Sequence, residues 1–306
     1  MRETEPSRTA AWVAVTRGLG ALLPADARLI DDPYGLQFAG SGPAGRWARA
    51  AAERDARWLA RLPGAQAWII YMQVRTRVLD DAVRAFVARG GAQLVILGAG
   101  YDCRALRLRE LASSTVFEVD HPATQGRKQR VLARLGAASR ARYLAWDFEA
   151  RPMTELPAVL AELGLDVTRP TLTIWEGVTM YLREPALDAS VRAIAAYSGP
   201  GSSLAMTYMT QARLARPSLM TRATRALVGR VGEPWVWGWD PLELPAWLAA
   251  RGFPRVDDVD LADASLALLP PQYAMATDGR RVAVADRERV ATAHRATMAD
   301  MAVDAG

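Results

Sequence analysis

The stretch that most constrains this chain is Leu94 to Arg104, LVILGAGYDCR. Four successive apolar residues, Leu94 to Leu97, stop abruptly at Gly98-Ala99-Gly100. A short, wholly apolar run closed by glycines reads as a buried parallel strand entering a tight turn. Glycines there accept backbone angles that side chains forbid and let the main chain approach a ligand closely. The next residues, Cys103 to Leu111, suit a helix, which predicts a helix N-terminus at the same spot. Strand, glycine turn and helix together predict a nucleotide-type pocket at the carboxyl edge of a sheet.

A second strand, Thr115 to Asp120, ends in an acid that lies 22 positions past Gly98 (120 − 98). That is near the spacing of roughly 20 at which a second-strand carboxylate accepts hydrogen bonds from ribose hydroxyls. The turn departs from the dinucleotide pattern G-x-G-x-x-G, because Cys103 and Arg104 stand where the third glycine belongs. Asp102, at the mouth of the turn, would repel a pyrophosphate but suits an ammonium or sulfonium. An adenosine-bearing cationic cofactor, S-adenosylmethionine, is therefore expected ahead of NAD.

Composition sets the outer limits. At 306 residues with 51% apolar side chains, the chain can build one large α/β domain with elaborations, or two small ones. No run approaches the roughly 18–20 apolar residues of a membrane span. The polar start, MRETEPSRTA, lacks the apolar core of a signal peptide, so a cytoplasmic protein is expected. One cysteine, Cys103, and two histidines, His121 and His294, argue against a disulfide framework and against a protein-held metal. The formal charge of +5 comes from scattered arginines without interleaved aromatics, which predicts a solvated surface and no nucleic-acid face.

In chain order, helices are expected over Thr9–Leu23 and Ala44–Leu62, then a longer one over Ala65–Arg89 that stops at Gly90-Gly91. After Asp120, His121-Pro122 opens a helix to about Leu135. Strands Arg142–Trp146, Thr171–Trp175 and Ser202–Tyr208 alternate with helices Glu155–Gly164 and Pro185–Tyr197. Val256–Leu261 and Arg281–Ala285 suit a closing hairpin, and the tail after Arg287 a helical or frayed end with His294 on its surface. The alternation predicts a doubly wound, mostly parallel sheet in an α/β fold. One domain follows, with a helical cap at 1–64, a cofactor-binding core at 65–209, a lid or substrate segment at 210–254 and the hairpin at 255–287. Asp120, Asp147 and Glu176 each end a strand and are expected to converge at one edge. Trp235, Trp237 and Trp239 alternate in EPWVWGWDP; they suit either core or a flat pocket wall, and the pocket is preferred.

With these residues in view, the chain resembles the leucine carboxyl methyltransferase family of S-adenosylmethionine-dependent O-methyltransferases, nearest its bacterial polyketide carboxyl methyltransferases of the tetracenomycin type. The resemblance rests on TAAWVAVTRG, DDPYG, VRTRVLDDAV, LGAGYDCRALRL, FEVDHPATQGRKQRVL, WEGVTMYL and GPGSSLAMTYM. It implies a seven-stranded class I methyltransferase sheet with an N-terminal helical extension and a helical insertion after strand 5. It also implies that Arg75 holds the cofactor's carboxylate, that Gly98 lies under its methionine portion and that Asp120 binds its ribose. Asp147 and Phe148 would contact the adenine, and Glu176 would lie near the amino group. The family's usual threonine is Cys103 here, which would put a thiol near the cofactor.

A carboxylate acceptor is already ionised at neutral pH and needs no general base. The expected activity is methylation of a carboxylate on a small aromatic or polyketide-like metabolite, by positioning and desolvation. Tyr181 and His121 are the candidate catalytic residues, with core packing and a structural role as their respective alternatives. Tyr181 and Arg183 can face the acceptor. Competing expectations are a phenolic acceptor, a protein C-terminus as acceptor, a nicotinamide-dependent oxidoreductase, and a non-catalytic nucleoside-binding module.

Overall fold

The structure, a computed structural model, describes residues 6–40, 45–46, 49–50, 63–215, 235–277, 280–281 and 288–300. Most of the helix expected over Ala44–Leu62 lies outside these residues. Helix α1 (Arg8–Gly18) starts where the Ser7 hydroxyl accepts the Ala10 N–H, and it runs into a 3₁₀ turn, Leu19–Leu22. Helix α2 (Pro63–Ala88) precedes β1 (Gln93–Leu97). Strand β2 (Thr115–Asp120) leads through His121 into α3 (Pro122–Arg134), and β3 (Arg142–Ala145) follows. Next come β4 (Thr171–Trp175), α4 (Glu184–Tyr197) and β5 (Ser203–Tyr208), then the closing strands β6 (Arg255–Asp260) and β7 (Arg289–His294).

These strands form one seven-stranded sheet in the order β3-β2-β1-β4-β5-β7-β6. The first five are parallel, and β7 runs antiparallel to both neighbours. Strand order reverses between β1 and β4, which is where a doubly wound sheet opens a crevice for ligands. Successive residues of β1 point to opposite faces. Leu94 and Ile96 join Ile69, Val74 and Leu79 of α2 in one core, while Val95 and Leu97 join Phe117, Trp175 and Leu187 in the other. Among the described residues no helix is long and apolar enough to cross a membrane.

Two expectations are corrected. The partner of β6 is Arg289–His294, not Arg281–Ala285; Arg281 pairs with Ala276 in a two-residue ladder, and residues 282–285 lie outside the described ones. The choice has a physical cause. β6 carries Asp257, Asp258 and Asp260, and β7 supplies their cations: Arg289 reaches Asp258 at 2.8 Å and Asp260 at 2.6 Å, and His294 Nε2 lies 3.0 Å from Asp257. His294 is thus no free surface residue, since its Nδ1 also lies 2.9 Å from Ser203 Oγ. The second correction concerns the segment after the glycine turn. Arg104–Arg107 is α-helical, Leu108 is extended and Arg109–Ser113 forms a 3₁₀ turn, so the expected helix is broken in two; buried Asp80 grips both Arg104 and Arg107 in its first piece.

Candidate functional site

A cavity of about 190 Å³ opens at the carboxyl ends of β1, β2 and β4, with α1 along one wall. It brings together Arg75, Gly98, Gly100, Asp102, Asp120, His121, Phe148, Glu176 and Tyr181. Asp147 lines a second cavity of similar volume that shares His121, Phe148 and Val178 with the first.

The glycine turn is built by main-chain bonds. Gly98 N–H and Ala99 N–H both donate to Val119 O, at 2.9 and 3.1 Å, tying the turn to β2. Gly98 and Gly100 have φ of +67° and +51°, the left-handed region that other L-residues enter only with strain. A Cβ on Gly98 would lie 2.7 Å from Val178 Cγ2, and one on Gly100 would lie 3.1 Å from Ala10 Cβ. Asp120 closes the turn: Oδ2 accepts the Gly100 N–H, and Oδ1 accepts the His121 N–H at 2.6 Å. Burial pushes its carboxyl up to about 6, against the pull of those two bonds. Each ionised oxygen keeps a lone pair for a further donor.

Beneath the cavity lies a buried ionic network. Glu176 Oε1 accepts Arg75 Nε at 3.0 Å, and Oε2 accepts Arg104 Nη1 at 2.8 Å. Burial alone would raise the Glu176 carboxyl, but Arg104, Arg75 and Arg17 outweigh it and hold it well below the usual carboxylate range. Arg75 also donates to Glu288 at 2.9 Å, and the Tyr71 hydroxyl bonds the same oxygen. Arg17 reaches Asp32 at 3.0 Å and Tyr101 O at 2.7 Å. Asp102 pairs with Arg104 and accepts its N–H at 2.7 Å. Of the charged groups that line the cavity, two are arginines, Arg17 and Arg75, and three are carboxylates, Asp102, Asp120 and Glu176. The excess of acid makes the cavity floor anionic, which suits a ligand of net positive charge.

Other expectations fare differently. Asp147 does not join Asp120 and Glu176; it sits on the rim, where Oδ1 accepts the N–H groups of Glu149 and Ala150 at 2.9 and 3.2 Å. His121 caps α3, with Nδ1 accepting the Ala123 N–H at 3.3 Å, so that lone pair is already committed. Cys103 points away from the cavity into a cluster with Ala14, Phe38, Tyr101 and Leu132, and burial pushes its thiol up to about 12. Arg183 is exposed and lines neither cavity.

The three tryptophans also line neither cavity. Trp239 sits edge-on to Tyr208 and Trp247, and Trp235 packs with Met180 and Met209. Indoles of this size gain more from the core beside β5 than from an open wall. Their segment nonetheless braces the site, since the N–H groups of Val236 and Trp237 donate to Met180 O, beside Tyr181.

Sequence reasoning missed Arg17, Asp80, Arg104 and Glu288. For Arg17 a signal existed: it shares a helical stripe with Ala10, Val13 and Ala14, an arginine on an otherwise apolar face.

A profile of the leucine carboxyl methyltransferase family matches residues 10–195. A Mycobacteroides abscessus protein named for S-adenosyl-L-methionine-dependent methyl transfer is 34% identical over 287 residues, 88% of this chain and 90% of its own. A Mycobacterium avium protein of the same name is 33% identical over 261 residues, 83% of this chain and 81% of its own. A DUF574-family structure from Streptomyces avermitilis superposes with TM-score 0.59 at 19% identity, over 96% of this chain and 99% of that one. One described as a methyltransferase, from Thermobifida fusca, gives 0.56 at 18% identity, over 92% and 98%. These two show the fold. The chain belongs to the leucine carboxyl methyltransferase family and is an S-adenosylmethionine-dependent methyltransferase.

Proposed function

We propose that this methyltransferase acts on a carboxylate oxygen of a small aromatic or polyketide-like acid. The residues at hand fit the cofactor. The glycine turn lines the cavity with main chain, its missing Cβ atoms giving room to Val178 and Ala10 beside it, and the anionic floor complements a sulfonium and an ammonium. Asp120 would accept the ribose hydroxyls, Glu176 and Asp102 would face the amino group, and Arg75 with Arg17 would balance the carboxylate. The second cavity, between Phe148, Val178 and Leu182, would take the adenine, with Asp147 at its rim. When bound, S-adenosylmethionine supplies an electrophilic methyl group.

The observation that carries the acceptor class is the state of the groups able to act as bases. Glu176 is held ionised between two arginines, Asp102 is paired with Arg104, and both Asp120 oxygens accept backbone N–H groups. His121 has committed Nδ1 to its helix cap. Salt-bridged Glu176 and Asp102 are poor proton acceptors, and Asp120 and His121 take up a proton only by giving up hydrogen bonds that shape the turn and cap α3. An acceptor ionised below neutral pH needs none of them, whereas a phenol, with a pKa near 10, must lose its proton during transfer. Tyr181, on the turn after β4, would contact the acceptor.

The test is a panel of paired aromatic acids and phenols assayed with labelled S-adenosylmethionine. Base-labile methyl ester products, with kcat/KM flat between pH 6.5 and 9, are expected. Alkali-stable methyl ethers and a rate climbing with pH would establish the phenolic reading instead.

A further inference from the structure

The chain has 38 basic side chains, and a single one of them, Lys128, is lysine. It is also the most enclosed of the site's cations apart from Arg104, at 1% exposed. We infer that Lys128 is the positioning residue of the glycine turn: its ammonium, anchored by Glu118, holds the main-chain carbonyl of Asp102 and thereby sets the loop carrying Gly98, Gly100 and Asp102. Lys128 Nζ donates to Asp102 O and to Glu118 Oε2. These acceptors belong to different elements, the turn after β1 and the middle of β2, while Lys128 itself stands on α3.

The platform behind it is rigid. Gln125, one turn earlier on α3, donates to Glu118 O and to Leu144 O, both at 3.1 Å, which fastens the helix across β2 and β3. The lysine is therefore the link between that fastened helix and the turn. Burial alone would lower the Lys128 ammonium, but Glu118 outweighs it and keeps it charged. Burial pushes the Glu118 carboxyl up to about 7 even with Lys128 beside it.

The residue type matters. A compact ammonium presents three rotatable donors, so one atom can bond a carbonyl and a carboxylate that lie in different directions. The planar guanidinium fork is wider and matches two oxygens of one group, which is its use in this same protein at Asp80, where Arg107 Nη1 and Nη2 take one carboxylate oxygen each. In a chain that otherwise uses arginine for every basic position, lysine occurs where the fork does not fit.

The functional consequence rests on the cofactor reading above; the structural one does not. The double variant Glu118→Met/Lys128→Met removes both charges together and leaves none buried without a partner. We expect it to melt cooperatively near the wild-type temperature. Amide hydrogen exchange in residues 98–104 should be about tenfold faster, and S-adenosylhomocysteine should bind about tenfold more weakly, the scale of one lost charge-assisted bond. Lys128→Arg should restore neither. Wild-type exchange in 98–104 of the double variant would overturn the assignment, and faster exchange with unchanged affinity would overturn its link to the cofactor. A wild-type protein that binds no S-adenosylhomocysteine would sink the cofactor reading, leaving exchange alone to decide this one. Should the double variant not fold, acylation of the single lysine in wild type decides: the ligand should slow Lys128 acylation and turn exchange together, and protection of the turn alone would refute the coupling.

Discussion

Replacing Gly98 with alanine tests the glycine turn most directly, because two separable penalties can be worked from its geometry. The first is conformational: at φ +67° a Cβ costs about 1–2 kcal/mol. The second is steric: the new Cβ would lie 2.7 Å from Val178 Cγ2, inside ordinary contact, and overpacking of this kind costs about 1–3 kcal/mol. Together they reach about 2–5 kcal/mol, a large share of the 5–15 kcal/mol typical of a folded domain. Val178→Ala in the same chain removes the offending methyl and should recover the steric part alone. Thermal melting of wild type, both single variants and the double variant measures the coupling, and calorimetry with S-adenosylhomocysteine measures the consequence at the site. We expect a coupling of about 1–3 kcal/mol, with Gly98→Ala the weakest binder. Strictly additive melting penalties would show that Val178 does not confine the turn. Wild-type ligand affinity in Gly98→Ala would show that the turn does not face the cofactor.

Three further outcomes follow from the same network. Asp120 titrates near 6 in the fold against 3.8 for its reference value, so its contribution to stability is fully present below about 3.8 and is lost as pH rises through 6. Cofactor affinity should run the opposite way, rising between pH 5 and 7 as the carboxylate ionises; a flat affinity profile would remove Asp120 from the ribose site. Glu176→Gln leaves Arg75 and Arg104 short of a buried partner and should cost about 3–5 kcal/mol in melting experiments, whereas a loss below about 1 kcal/mol would mean the pairing is not formed in solution. His121→Asn keeps a side chain able to cap α3 and should retain kcat within a few-fold, while His121→Ala should lose about 1 kcal/mol of stability. A hundredfold drop in kcat for the asparagine variant would make His121 the base.

Local pattern alone determined much of this protein. The apolar run into Gly98-Ala99-Gly100 and the acid 22 positions later required a strand, a turn and a second strand beside the first, since period, glycine placement and spacing are all short-range properties. Thr171–Trp175 is a strand as read, and Asp120, Gly98, Gly100 and Glu176 share one cavity as expected. What tertiary structure decided is where two or more remote segments compete for one partner. Arg289–His294 became the closing strand because its cations meet the acids of Arg255–Asp260, and no local window contains both. Trp239 went to the core because Tyr208 and Trp247 offer it an enclosed face. Arg17, Asp80, Arg104 and Glu288 have partners 15 or more positions away, and they become the buried network beneath the cavity only when folding brings opposite charges within 3 Å. Electrostatic pairing in a buried site depends on distance in space rather than along the chain, so folding had to supply it.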